Sequence, residues 1–154
     1  MGEILILVLY VDDLFLTSAL GLIEDCKRDL AKEFEMKDLV LMHYFLGMEV
    51  WQTNGEIFLG QGKYCIEILK RFGMEDCKAM STPMITNWKK VDTTKEKDVD
   101  PILYRHLIGS LMYLVNTRPN IAFGVNSLSQ FMVEPKRMHW IEAKHILCYL
   151  HGAV

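Results

Sequence analysis

Residues 4–17 constrain this chain more than any other stretch. Ile4-Leu5-Ile6-Leu7-Val8-Leu9 is an unbroken apolar run with β-branched members. Tyr10-Val11-Asp12-Asp13 interrupts it and Leu14-Phe15-Leu16-Thr17 resumes it. The run is too short to span a bilayer, lacks the flanks of a signal peptide, and is soon followed by two carboxylates. Continuous apolarity without alternation is the pattern of a strand buried on both faces. Two such runs around a short acidic tip predict a tight β-hairpin.

Beyond the hairpin the period changes. Leu22, Cys26, Leu30 and Phe34 recur every four residues among charged ones, which predicts an amphipathic helix. Met42 to Trp51 reads as a strand, and the pair Asn54-Gly55 then turns the chain into Ile57-Phe58-Leu59. Cys65, Ile68, Leu69 and Phe72 give helical spacing over 62–72, with Gly73 as its stop. Residues 78–100 carry Thr82-Pro83, Thr93-Thr94 and mixed charges without period, as a mobile linker would. Three helices are expected after it: about 101–116 on Leu103, Leu107, Leu111 and Leu114; about 119–132 on Ile121, Val125, Leu128 and Met132; and about 137–150 on Trp140, Ala143, Leu147 and Leu150. Strands with one helix, a second hairpin and then helices make an α+β chain.

Composition narrows the function classes. With 51% hydrophobic and 24% charged residues, the 154-residue chain can build a core. Its net charge is −3, but residues 1–60 hold 4 Lys/Arg against 11 Asp/Glu (−7) and the remainder 13 against 9 (+4). No overall cationic field argues for a membrane or for nucleic acid. Cysteines at 26, 65, 77 and 148 form no CxxC pair and read as reduced thiols of an intracellular protein, in cytoplasm or nucleus. His145, Cys148 and His151 recur every three residues, but helical geometry fans them out and at most two reach one metal.

Adjacent carboxylates at a hairpin tip suit one chemistry well. The flanking strands fix them, and they present hard oxygen ligands to Mg²⁺. With a further carboxylate from a neighbouring strand, such a pair holds the metals of nucleotidyl transfer. A plain acidic turn is the simpler alternative.

Tyr10-Val11-Asp12-Asp13 between two apolar strands resembles the catalytic hairpin of reverse transcriptases, and the downstream text resembles their copia-type retrotransposon branch. Phe34-Glu35-Met36-Lys37-Asp38-Leu39, Tyr44-Phe45-Leu46-Gly47-Met48-Glu49, Gln61-Gly62-Lys63-Tyr64 and Ser81-Thr82-Pro83 follow in the family's order. Gly109-Ser110-Leu111-Met112-Tyr113-Leu114, Thr117-Arg118-Pro119-Asn120-Ile121, Leu128-Ser129-Gln130-Phe131 and His139-Trp140 continue it. The resemblance implies a partial palm over 1–60, a thumb-like helix over 61–77, the linker over 78–100 and a helical thumb/connection region over 101–154. It implies Asp12 and Asp13 as catalytic Mg²⁺ ligands, and Tyr10 and Val11 beneath the primer end. Phe45, Leu46 and Gly47 would grip the primer strand of an RNA/DNA template-primer. Lys63, Lys70 and Arg71 would meet its phosphates, and Lys37 could steer the triphosphate. Arg105 and Arg118 could bind phosphate or pair with acids.

Two departures from the family qualify this. Its polymerase domain begins well before the hairpin, with the fingers and the first catalytic aspartate, so this chain alone is expected to be inactive. His145, Cys148 and His151 also stand where cations are usual. The competing expectations are a host-captured, non-catalytic module whose Ile4–Leu9 strand is covered by a protein partner or a second copy, and a weak nucleic-acid-binding domain.

Overall fold

A computed structural model describes residues 3–53, 55–85 and 99–153. The described residues form two compact units, divided after Leu41.

The first unit is a hairpin and a helix. Strands β1 (Ile6–Tyr10) and β2 (Asp13–Thr17) pair antiparallel with Tyr10 opposite Asp13 and Ile6 opposite Thr17, which leaves Val11 and Asp12 as a two-residue turn. Ser18 fastens the open end by donating from its hydroxyl to the Ile4 carbonyl at 2.9 Å. Helix α1 (Leu20–Glu33) follows. Its apolar stripe has the expected register: Leu22, Cys26, Leu30 and Phe34 line an open groove of about 490 Å³ with Leu5. No residue of α1 is buried. Lys27 reaches past the helix end to Asp38 at 2.9 Å and ties down the following loop.

One expectation fails here. The run Ile4–Leu9 was expected to be buried on both faces, but every residue of β1 is exposed, Leu9 to 68%. The physical reason is strand number: among the described residues β1 and β2 are the whole sheet, and no third strand pairs with them.

The second unit holds a three-stranded sheet and the helical core. Strands β3 (Tyr44–Phe45), β4 (Met48–Thr53) and β5 (Glu56–Gly60) form an antiparallel meander. The stretch Met42–Trp51 is thus two strands, not one. Leu46 and Gly47 turn between them with φ of 50° and 77°, positive at both central positions. Thr53 pairs with Glu56 across the expected second turn, where Gly55 has φ of 89°; Asn54 lies outside the described residues.

Among the described residues four helices follow: α2 (Gly62–Arg71), α3 (Pro101–Leu114), α4 (Ala122–Ser129) after a 3₁₀ turn at Pro119–Ile121, and α5 (Arg137–His151). Helix α2 stops where expected, at Gly73 with φ of 62°. Helix α3 starts where Asp100 accepts from the Ile102 amide at 2.8 Å and Pro101 fills the first turn. Its inward stripe is Tyr104, Leu107, Ile108, Leu111 and Leu114; Leu103, expected inside, is 42% exposed. These side chains pack with Ile68, Val125, Leu128, Ile146 and Leu147 into one core. Residues 78–85 were expected to begin a mobile linker. Instead they run along α5, where Met80 donates to the Cys148 carbonyl at 3.2 Å and Ile85 to the Glu142 carboxylate at 3.4 Å. Residues 86–98, Thr93-Thr94 included, lie outside the described residues. Among the described residues no helix is long and apolar enough to cross a membrane.

Candidate active site

The acidic tip is built by register. Because Tyr10 pairs with Asp13, Val11 and Asp12 must close the hairpin in two residues. Val11 adopts φ of 53°, a left-handed conformation that a β-branched side chain resists by about 1–2 kcal/mol. Strain of that kind persists only where the surroundings over-determine it; here the Tyr10–Asp13 and Leu9–Leu14 rungs do so. Asp12 and Asp13 are both exposed, and neither carboxylate has a hydrogen-bond or ion-pair partner among the described residues. Tyr10 and Val11 beside them are 48% and 77% exposed.

Two neighbouring carboxylates of this kind fit Mg²⁺ chemically, as hard oxygen donors not already engaged. They are too few for a two-metal centre. No group of three or more His, Cys, Asp or Glu able to hold a metal occurs among the described residues.

In the second unit the turn at Leu46-Gly47 is clamped from two sides. The Tyr113 hydroxyl donates to the Leu46 carbonyl, and the Tyr113 ring meets Tyr64 edge-on at 4.8 Å. A Cβ on Gly47 would lie 2.5 Å from that hydroxyl oxygen, so the close approach needs glycine for space as well as for its positive φ. On the adjoining strands, Tyr44 accepts from the Lys63 ammonium, which also lies 3.6 Å from Glu49. The hydrogen bond to Tyr44, with the nearby Glu49 charge, holds the Lys63 ammonium above the usual lysine pKa. Glu49 is buried, and its other oxygen accepts from the Lys63 amide at 3.2 Å, capping the first turn of α2 from outside the helix. Gln61 completes the junction by donating to the Tyr113 carbonyl at 3.3 Å and accepting from Thr117 at 2.7 Å.

The remaining candidates divide. Phe45 is half-buried and Leu46 45% exposed at the turn. Lys70 is exposed and has no ion-pair partner among the described residues, whereas Arg71 pairs with Glu67 at 3.1 Å one turn back. Lys37 is exposed. Arg105 and Arg118 donate to the carbonyls of Met132 and Ala153 at 3.0 and 3.1 Å; both fasten chain ends of helices. Tyr113 was given no role by the sequence reading. Its only signal was its place in the 109–114 block, off the buried stripe of α3 and too common to single out.

Comparison with known proteins bears on the same residues. The model of the reverse transcriptase (RNA-dependent DNA polymerase) family matches residues 1–86, which include the acidic hairpin and the Leu46-Gly47 turn. An uncharacterized mitochondrial protein of Arabidopsis thaliana is 40% identical over 149 residues, 96% of this chain and 62% of that protein. The retrovirus-related Pol polyprotein from transposon RE2 of Arabidopsis thaliana is 37% identical over 97% of this chain and 10% of the polyprotein. That from transposon TNT 1-94 of Nicotiana tabacum is 40% identical over 98% of this chain and 12% of the polyprotein. The chain thus spans 62% of the first relative and about a tenth of the polyproteins. No solved structure matches it. Matched by the family over more than half its length and similar to retrotransposon Pol polyproteins over nearly all of it, the chain belongs to the reverse transcriptase (RNA-dependent DNA polymerase) family.

Proposed function

We propose that this chain is the catalytic-hairpin part of a retrotransposon RNA-directed DNA polymerase, in which Asp12 and Asp13 hold Mg²⁺ against an RNA/DNA template-primer. The observation that carries this is the tip itself: two adjacent carboxylates, exposed and unpartnered among the described residues, on a two-residue turn fixed by its ladder. Mg²⁺ held there would activate the primer hydroxyl and steady the leaving pyrophosphate. Tyr10 and Val11 offer flat apolar contact beneath the primer end. The turn at Phe45, Leu46 and Gly47 grips the primer strand, and Lys63, Lys70 and Arg71 meet backbone phosphates, which adds sequence-independent affinity.

Under this reading residues 1–60 are a partial palm, 61–77 a thumb-like helix and 101–154 a thumb/connection region of an enzyme that works inside the cell. Because the tip supplies only two carboxylates, the chain alone does not extend primers; a third comes from the rest of a longer polyprotein. The test is primer extension by the chain fused to the upstream polymerase segment. The fusion extends with Mg²⁺, and Asp12→Asn or Asp13→Asn abolishes extension while leaving the circular-dichroism spectrum unchanged. Extension that survives either substitution, or a folded fusion that never extends, overturns the reading.

The exposed strand Ile6–Tyr10 favours a second reading, a non-catalytic module that covers this strand with a protein partner or a second copy. Light scattering at micromolar concentration separates the two: a dimer lost on Leu7→Lys supports the module, and a monomer counts against it.

A further inference from the structure

Strand β5 ends its sheet, in the order β3-β4-β5, and among the described residues no strand pairs with its outer edge. The register fixes which backbone groups face outward. Thr53 and Glu56 flank the two-residue turn, so that pair, Trp51–Phe58 and Glu49–Gly60 exchange hydrogen bonds inside the sheet. In keeping with this, the Val50 amide donates away from β5, to the His43 carbonyl at 2.8 Å. The amides and carbonyls of Ile57 and Leu59 therefore point to the open edge. Around them three consecutive apolar side chains stand exposed, Ile57 to 68% and Phe58 and Leu59 to 52% each. Glu56, Phe58 and Gly60 share one face. On it the Trp51 ring covers Gly60 so closely that a Cβ there would lie 2.7 Å from the ring. A cleft of about 410 Å³ opens beside Gly60, lined also by Trp51, Arg118, Pro119 and Asn120. Arg118 is half-buried, donates to the Ala153 carbonyl, and has no ion-pair partner among the described residues. Glu56 is exposed and likewise unpartnered among them.

We propose that β5 is an interface with a second copy of this chain, which pairs antiparallel through the same strand about a two-fold axis at Phe58. In that register the strand complements itself. Ile57 falls opposite Leu59 of the second copy and Leu59 opposite its Ile57. These are the residues whose backbone groups are open, so two hydrogen-bonded rungs close. Phe58 meets its counterpart at the axis, in a rung without hydrogen bonds, where side chains stand closest. Trp51, directly opposite Phe58 within each copy, extends the aromatic row on both sides. Glu56 falls opposite Gly60, so no carboxylate faces a carboxylate. The glycine leaves its rung open, and the Glu56 side chain of each copy passes it into the cleft of the other, where the Arg118 guanidinium receives the carboxylate. The contact occurs twice, as a two-fold axis requires. A slip of one residue would set open backbone groups against closed ones and move Glu56 off the glycine. Any extended strand would satisfy the edge, but the second copy also brings the carboxylate that Arg118 lacks.

Sedimentation velocity of the full chain across the micromolar range shows a dimer, and amide exchange at Ile57 and Leu59 slows as concentration rises. Glu56→Arg sets two cations together at each junction and Arg118→Glu two carboxylates, so each variant alone dissociates about 100-fold more readily. Mixing the two variants restores a dimer, because each junction then holds one cation and one carboxylate. Leu59→Pro, which removes an outward amide and spares the ladder to β4, abolishes the dimer. Leu7→Lys leaves it intact, which separates this interface from one through Ile6–Tyr10. A monomer throughout the range, exchange at Ile57 and Leu59 independent of concentration, a dimer that survives Glu56→Arg or is lost on Leu7→Lys, or variants with the parent's circular-dichroism spectrum that fail to associate when mixed each overturn the proposal.

Discussion

Gly47→Ala tests whether the Leu46-Gly47 turn is held by the contact with Tyr113. Gly47 has φ of 77°, where an L-residue costs about 1 kcal/mol more than glycine. The added Cβ would sit 2.5 Å from the Tyr113 hydroxyl oxygen, well inside van der Waals contact. Either the turn or the ring must move, and the hydroxyl then loses its bond to the Leu46 carbonyl. A lost neutral hydrogen bond adds about 1 kcal/mol, so the total is about 2 kcal/mol, a change of roughly 30-fold in the folding equilibrium. In a Tyr113→Phe background the obstructing oxygen is gone, and Gly47→Ala should cost only the backbone part, about 1 kcal/mol. Urea unfolding of the four proteins of this cycle, followed by tryptophan fluorescence, gives the coupling directly. A cost for Gly47→Ala that is the same in both backgrounds, or below about 0.5 kcal/mol in the parent, refutes the clamp.

Three further outcomes follow from burial and charge. Leu107→Ala, at a fully buried position, should destabilise the helical core by about 2–5 kcal/mol, whereas Leu9→Ala on the exposed hairpin should change stability by less than about 0.5 kcal/mol; denaturant melts compare them. Burial pushes the Tyr104 phenol well up and raises the Cys65 and Cys148 thiols, so the folded state keeps protons that the unfolded chain releases. Stability is therefore full below about pH 8.5 and falls as pH rises, the tyrosine share setting in above about pH 10 and vanishing in Tyr104→Phe. Glu142 is fully buried with one oxygen unpartnered among the described residues, so Glu142→Leu should raise the urea midpoint, by about 1 kcal/mol in free energy; a drop would mean the carboxylate is satisfied.

The parts of this fold that the sequence announces are those whose signals are local. The acidic hairpin follows from two apolar runs too close for anything but a two-residue turn, and Asn54-Gly55 marks the second hairpin by residue type. Helix α3 begins at Pro101, where its leucine spacing placed it, and Gly73 ends α2. The failures share a cause. An apolar run reports that a strand prefers cover, not whether this chain provides it, so Ile6–Tyr10 reads as buried and stands exposed. Residues 78–85 have no period because their partners are on α5, far along the chain. The Leu46-Gly47 turn hid because Leu46 takes a positive φ that no residue-type rule assigns to leucine. In the first unit the carboxylate pair was legible; in the second, Tyr113, Glu49 and Gln61 were not, because they act through contacts between elements.

With Asp12 and Asp13 as the proposed cation ligands, the absence of any buried residue in α1 or β1 would make metal loading and hairpin ordering one equilibrium. A lone two-stranded ribbon is marginal in water, so part of any cation's binding energy goes into fixing the tip. Whatever shields the apolar face would remove that cost and tighten the grip of Asp12 and Asp13, and by reciprocity a bound cation would tighten the shield. Cation affinity at the tip is thus a gauge, readable by titration, of how completely the ribbon is covered.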